Sequence, residues 1–507
     1  MRRPDDGRDP AGARRLAAWL IGLALLAAPS GPARGEALVQ VRGVVHVHTD
    51  FTTGELSLDE IVGRAREQGI EAIFLSENYL LRVAYGLYPF RALLSVHEEE
   101  PSVLGRGPER YLAMVAAARQ RAPGVLIVPG VEVIPHYWWT GSPFAGDFTV
   151  HDLQKNLLVF GLSTPAALRT LPATGSPATA RYSAESVLEA LPVLLLVPGL
   201  RLLRRRPTRR RLADRVVVVQ TRRHWLGGGL LCAVAVGTLV RGLPFTTDAF
   251  SPYEELGTAP FQELIDVVEG QGGAAVWSFP DAFDYGEERV LGLRVRRTTD
   301  PYGDDLLRTF RYSGFGGAYE DVTRFPQLGD GWDYLLGQYA RGERSRPAWV
   351  LGESGFHGEG EGKWIGAAET VFLVPAKSEA ALVAALRRGR VYAVRRTERR
   401  TTPVLDGFTV VAGDRTGISG DTLAAPPGAP LTVRAEVRVS DGSAQSVQLS
   451  LIRNGGVVRV WTGPTPLAIE HREAFDGVPA FFRVVVRGPG GSYILANPIF
   501  LRPPGAP

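Results

Sequence analysis

The sequence predicts a mixed α/β protein: repeating strand–helix units that build a parallel sheet or barrel, an apolar two-helix hairpin inserted among them, and a small β-sandwich at the end. Three observations predict it. Short apolar strands alternate with amphipathic helices before residue 185 and again after residue 244. Two apolar runs flank an arginine-rich loop between these halves. From about Thr402 the texture changes to short alternating strands separated by Gly, Pro and Asp turns. The expected divisions are an export signal or anchor over 1–37, α/β segments over 38–185 and 244–400, a membrane hairpin over 186–243, and the sandwich over 401–507.

Taken in order, Arg2, Arg3, Arg14 and Arg15 precede the apolar run Leu16 to Ala28, the pattern of a secretory signal or an uncleaved anchor. Leu38 to Val47 reads as a strand. Ser57-Leu-Asp-Glu60 is a capping box, opening a helix that ends near Gly69. Glu71 to Leu75 reads as a strand, Glu109 to Arg121 as a helix, and Gly124 to Val128 and Asn156 to Leu162 as strands. Val187 to Leu203 and Trp225 to Val240 are the apolar runs. Each is a little short of the ~20 residues that span a bilayer, a mismatch that snorkelling and local thinning absorb. The positive-inside rule places the loop between them in the cytoplasm and the main domains outside, at a bacterial inner membrane. A soluble hairpin with a solvated basic turn is the other reading. Beyond it follow a helix over Phe261 to Glu269, strands over Ala274 to Trp277, Trp349 to Gly352 and Glu369 to Val374, and a helix over Ser378 to Arg388. Sandwich strands are expected over Leu431 to Val439, Ser446 to Arg453, Val457 to Trp461, Phe481 to Val486 and Tyr493 to Ala496.

Charge narrows the function. Ten arginines and one acid, Asp214, lie between Arg201 and Arg223, giving that stretch +9 in a chain of net +4. The rest of the chain therefore sums to −5, which argues against a nucleic-acid surface and for one local basic loop. Cys232 is the single cysteine, so neither an intrachain disulfide nor a Cys-built metal site can form.

The chemistry-bearing residues begin with His46 and His48, two of only eight histidines, on an apolar strand that runs into a polar turn. Residues two apart on a strand point to the same side, so both imidazoles can reach one cation. His97, His224 and His471 have no such partner spacing and read as structural.

Further landmarks follow in order: Phe74-Leu-Ser-Glu-Asn78, Val128-Pro-Gly-Val-Glu132-Val, Asn156-Leu-Leu-Val-Phe-Gly161, Trp277-Ser-Phe-Pro280 and Gly352-Glu-Ser-Gly-Phe-His357. Together with His46-Val-His48 they resemble the polymerase and histidinol phosphatase (PHP) superfamily, and within it bacterial membrane-associated proteins that end in a β-sandwich. The resemblance spans roughly Gln40 to Arg395. It implies an irregular (βα)7 barrel with up to three metal ions at the strand C-terminal ends, and hydrolysis of phosphate esters.

Carried over residue by residue, the resemblance gives His46, His48 and Glu132 as metal ligands, and His357 as a ligand or general acid. The Asp of the last motif is Gly355. Three family histidines are replaced by Asn78, Asn156 and Phe279, and Thr53 stands near a further ligand position. Asn and Thr are poor ligands for a divalent transition metal and Phe is none. The set implies one ion at most, of zinc, manganese or iron. Asp50, Glu77, His151 and Glu353 are candidate replacement ligands. Two functional readings follow. One is a membrane-tethered phosphoesterase acting on a small-molecule phosphate ester. The other is an inactive PHP-type module that binds or scaffolds, with the sandwich contacting a protein partner.

Overall fold

A computed structural model describes residues 38–88, 90–91, 93–204, 206–212, 215–221, 224–290, 293–320, 323–360 and 363–505. The expected signal or anchor over 1–37 lies outside the described residues. Residues 39–507 form a single compact unit.

Seven strands, two of them broken into two segments, are hydrogen-bonded in a cycle. Val39–Val47 pairs in parallel with Ala72–Leu75, which pairs with Leu126–Val128. Both chains continue past a break, so that Glu77–Asn78 pairs with Gly130–Val133. Leu157–Phe160 follows antiparallel, then Ala274–Trp277, Gly314–Ala318 and Trp349–Gly352. The chain after Gly352 returns to the first strand: Ser354 and Phe356 donate to the carbonyls of Val45 and His46, and His48 donates to that of Phe356.

Alternation along these strands fills two cores. Val45, Phe74, Leu158, Val276 and Leu351 meet one another within the cycle. Val44, Ile73, Leu157 and Val350 face helices outside it, such as Leu58–Glu67. That helix starts where the capping box predicts: Ser57 Oγ accepts from Glu60 N, and Glu60 returns the bond to Ser57 N at 2.9 Å. Its buried Leu58, Ile61, Val62 and Ala65 follow the helical period. The helix Glu379–Arg388 closes one end of the cycle, with Leu382, Ala385 and Leu386 in its core. The opposite end carries the functional residues.

The C-terminal strands form two packed layers around a core that includes Phe408, Val433, Leu449 and Val484. One layer holds Pro403–Ala412, Arg415–Ile418, Pro430–Val439 and Leu467–Ala474. The other joins the cycle directly: Tyr493–Ala496 pairs with Val391–Arg395, and through Ala368–Val374 with Val39–Val47. Hydrogen bonding therefore runs unbroken across the expected junction at 400/401.

Two helices, Ala184–Leu203 and Trp225–Gly242, are long and apolar enough to cross a membrane. The first has a 3-10 segment over Leu191–Leu195, where Pro192 interrupts the regular ladder. They touch through small residues. A Cβ on Gly199 would lie 2.7 Å from Cys232 Sγ, and one on Gly228 would lie 2.9 Å from the Gly199 carbonyl. Their other faces expose Leu188, Leu194, Leu226, Leu230 and Val240. The arginine-rich connection forms a two-stranded ribbon, Arg206–Leu212 with Arg215–Thr221, where the sequence reading had only a loop.

Candidate metal centre

His46 and His48 stand at the C-terminal end of the first strand, both at most 2% exposed. A register shift between Val45 and Val47 puts His46 in a β-bulge at φ +70°. For a residue other than glycine such a conformation costs on the order of 1–3 kcal/mol, held by the surrounding structure. The simple pleat that the His-x-His spacing invokes is therefore broken, and the bulge re-aims the His46 ring. The two Nε2 atoms end 3.0 Å apart.

Glu132, on the strand Gly130–Val133, completes the group. Its Oε1 is 3.3 Å from His46 Nε2 and its Oε2 is 3.4 Å from His48 Nε2. These three side chains form a buried group able to hold a metal ion. Zinc–nitrogen bonds of about 2.0–2.1 Å in a tetrahedron imply ligand–ligand edges of about 3.3 Å. The two imidazole nitrogens, and each of them with one of the two Glu132 oxygens, stand at about that spacing, and one donor atom from each residue lies within 4.8 Å of the others.

The supporting contacts fit as well. His46 Nδ1 donates to Glu353 Oε1 at 2.6 Å, the bond a ligating imidazole makes with its remote nitrogen. Glu353 is in turn fixed by Ser278 Oγ at 2.5 Å and by the Phe279 backbone N–H at 3.1 Å. Asn156 Nδ2 donates to Glu132 Oε1 at 2.7 Å. Burial opposes a charge on His46, yet Glu132 and Glu353 push its pKa up to about 10. Burial also opposes ionisation of Glu132, but His46 and His48 hold it down at about 2. Burial, with His46 and His357 nearby, drives His48 well below the ordinary imidazole value. The buried carboxylates therefore stabilise one positive charge, on His46, while His48 stays neutral with its nitrogens open to coordinate.

The other sequence candidates take different places. His357 is exposed at the cavity mouth, stacked on His48 with ring centroids 4.1 Å apart. Its Nδ1 lies 3.2 Å from Thr53 Oγ1, which accepts from Asn78 Nδ2 at 2.8 Å. Glu353 orients His46 and has no oxygen turned to the donor group without a partner. Glu77 is fully buried and turned to the 49–52 turn, accepting from Thr49 N at 3.0 Å and from the hydroxyls of Thr49 and Thr52. Asp50 is exposed. His151 is bonded through both nitrogens, to Thr140 and Thr298 at 2.7 and 2.8 Å, and stacked on Trp138. Neither of these two reaches the donor group.

Gly355 and Phe279 are coupled in space. Gly355 has φ +53°, and a Cβ there would lie 2.8 Å from the Phe279 ring. Phe279 stacks on His46 at 5.2 Å. One aromatic ring thus fills the space between His46 and Gly355.

A cavity of about 600 Å³ opens over the group, lined by His46, Glu132, Asn156, Phe279 and His357. Arg297 and Lys363 supply its positive charge, with Glu98, Glu100, Asp284 and Glu288 around them. The Asn156 Oδ1 atom in its wall is buried without a hydrogen-bond partner.

Two expected results follow from these contacts. Glu353→Ala lowers metal affinity about 10- to 100-fold by releasing His46, measured by competition with a chromogenic chelator; equal affinity would assign Glu353 to folding alone. Burial raises the Glu77 pKa to about 7 against the hydrogen bonds from Thr49 and Thr52. The folded state therefore binds a proton that the unfolded state has already released. Stability from this group is complete below pH ~4.5 and falls, by roughly 3 kcal/mol, as pH rises through about 7. Melting curves of Glu77→Gln should be flatter than wild type between pH 5 and 8, and an unchanged slope would refute the assignment.

No family model and no curated protein sequence matches the chain. Among solved structures, it is similar to a two-domain protein containing a predicted PHP-like metal-dependent phosphoesterase from Bacteroides vulgatus. The identity is 12%, the TM-score 0.34, and the match covers 88% of this chain and 91% of that one. It is also similar to an amidohydrolase from Chromobacterium violaceum, at 14% identity and TM-score 0.26, covering 64% and 89% respectively.

Proposed function

We propose that this chain is a PHP-type metal-dependent phosphoesterase with a reduced, single-ion site, tethered to a membrane by its apolar hairpin. The carrying observation is the convergence of His46 Nε2, His48 Nε2 and the Glu132 carboxylate in one buried group whose donor atoms lie within 4.8 Å of one another. The seven-strand cycle, read as an irregular barrel with its site at the strand ends, agrees with it.

His46, His48 and Glu132 would hold the ion. A divalent cation, when bound, supplies Lewis acidity that activates water and polarises a phosphoryl group. The chain's own residues do the rest. Glu353 holds the His46 proton on Nδ1 and so keeps Nε2 turned to the group. Asn156 fixes the Glu132 carboxylate. Arg297 and Lys363, paired with Asp284 at 3.7 Å and Glu320 at 3.6 Å, are the cations that would turn to the phosphate. His357, anchored by Thr53 at the mouth, is placed to protonate the departing oxygen. Hydrolysis breaks the ester P–O bond, transfers the water oxygen to phosphorus, and leaves an alcohol and phosphate.

The purified full chain should hold about one zinc, manganese or iron per molecule and hydrolyse a simple phosphomonoester. A metal-free, inactive preparation at neutral pH without chelator would favour the second reading, an inactive binding module. The Phe279 ring packed beside Gly355 is the observation on that side. For the tether, a reporter inserted near Pro207 should read cytoplasmic and one after Arg502 should read extracytoplasmic. The same side for both would refute the hairpin as a membrane span.

A further inference from the structure

The polar cavity does not end at its own rim. Val83, Glu98, Leu153 and Glu288 line both it and an adjoining groove of about 390 Å³. That groove is mostly apolar, with His97, Glu98, Glu288 and Arg289 at its polar margin. Phe148, Val150 and Val295, all at most 4% exposed, belong to a small core apart from the main ones. Val83, Tyr85 and Trp139 pack on it only partly buried, and Val96 leaves 44% of its surface exposed on one wall. An open apolar channel running into a charged cavity is unusual on a soluble surface, where apolar side chains pack closed.

The groove also lies next to the apolar hairpin. Its wall strands Arg82–Gly86 and Ser95–Glu99 are joined by residues 87–94. Leu93 in that connection rests against Gly237 of the helix Trp225–Gly242, and Arg241 Nη1 donates to its carbonyl at 3.4 Å. Arg91 pairs with Glu185 and Glu189 of the other helix at 2.5 and 3.8 Å. A single β-ribbon therefore forms the groove wall at one end and seats on the apolar helices at the other.

We propose that the substrate is an amphiphile: a phosphate ester whose head enters the metal cavity while its hydrocarbon tail lies in the groove lined by Val83, Val96, Trp139 and Val295. This rests on the phosphoesterase reading for the head group. The tail is fixed independently, by the continuity of the two cavities and the apolar lining of the second. Each buried methylene strengthens binding about fourfold, so even a few in the groove select strongly for a chain over a short alkyl group.

The test compares dodecyl phosphate with ethyl phosphate as substrates of the full chain in phosphatidylcholine nanodiscs. The kcat/KM ratio should favour the dodecyl ester by tenfold or more. Val96→Trp and Leu293→Trp, both at the groove rim where a ring disturbs folding little, should each bring that ratio towards one. A preference due only to partition into the bilayer would survive both substitutions and overturn the groove, as would a wild-type ratio near one. Binding gives a readout that does not depend on hydrolysis. Dodecylphosphonate should shift the emission of wild type but not of Trp139→Phe, and methylphosphonate should shift neither. Hydrolysis of neither ester would overturn the phosphoesterase reading, while a dodecylphosphonate shift would still support the groove and its absence would overturn it.

Discussion

Replacing His46 by alanine is expected to abolish stoichiometric metal binding and to lower phosphoester hydrolysis about a thousandfold, a transition-state loss of ~4 kcal/mol. The group offers three protein donors, so losing one leaves only His48 and Glu132. His46 is also the residue through which Glu353 and Ser278 reach the site, at 2.6 and 3.4 Å. Its removal therefore frees both the ligand position and its orientation. Glu132→Gln provides the second arm. The Asn156 bond to Oε1 keeps its geometry while the charge opposite both imidazoles is gone. Metal content by elemental analysis should fall below a tenth of an ion in each variant, with the melting temperature of the apo chain recorded beside it. Retention of one ion per chain in both variants would place the metal elsewhere and overturn the site.

Much of this centre was legible in the sequence, and the parts that were not have physical reasons. His46, His48 and Glu132 are named by motif, and the structure brings their donor atoms together. The means differ from the pleat the spacing suggests: a bulge at His46 leaves no residue pattern, because any register of Val-Val-His-Val reads as strand. Glu353 stood out as an acid two residues before Gly355, yet only coordinates show that its oxygens are taken by His46, Ser278 and the Phe279 amide. The coupling of Phe279 to Gly355 links positions 76 apart in the chain and has no local signal.

Among elements, Ala274–Trp277, Trp349–Gly352 and Ser446–Arg453 have the edges their apolar patterns predict. The ribbons Arg82–Gly86 with Ser95–Glu99 and Asp284–Val290 with Leu293–Thr299 were missed. Their strands carry charges such as Glu98, Glu99, Glu287, Glu288, Arg294 and Arg296, and show no clean apolar alternation. They are nonetheless the walls of the cavity and groove. In the ribbon Arg206–Thr221, the dense arginine charge masks the strand signal of the β-branched run Val216 to Val219.

Asp333→Ala is expected to destabilise the folded chain by about 3–5 kcal/mol without touching the group of His46, His48 and Glu132. Asp333 lies in the helix Gly331–Ala340 and Arg483 in the strand Ala480–Arg487, so their contact joins the strand–helix part to the C-terminal layers. The pair is bidentate, at 2.7 and 2.8 Å, with side chains 4% and 1% exposed. Arg483 also lies 4.7 Å above the Trp332 ring, and Asp333 Oδ2 accepts from Gly329 N at 2.8 Å. Removing the carboxylate strands a buried guanidinium without an anion, which costs more than the pair itself contributes. Asp333→Asn keeps the shape and the Gly329 bond but not the charge, and should fall nearly as far. The double change Asp333→Leu with Arg483→Met removes both charges and should recover most of the loss. Thermal melts of the three variants in one detergent measure this. If Asp333→Ala and the double variant melt alike, the pair is not a buried charge lock, and apolar packing between the two parts carries their cohesion alone.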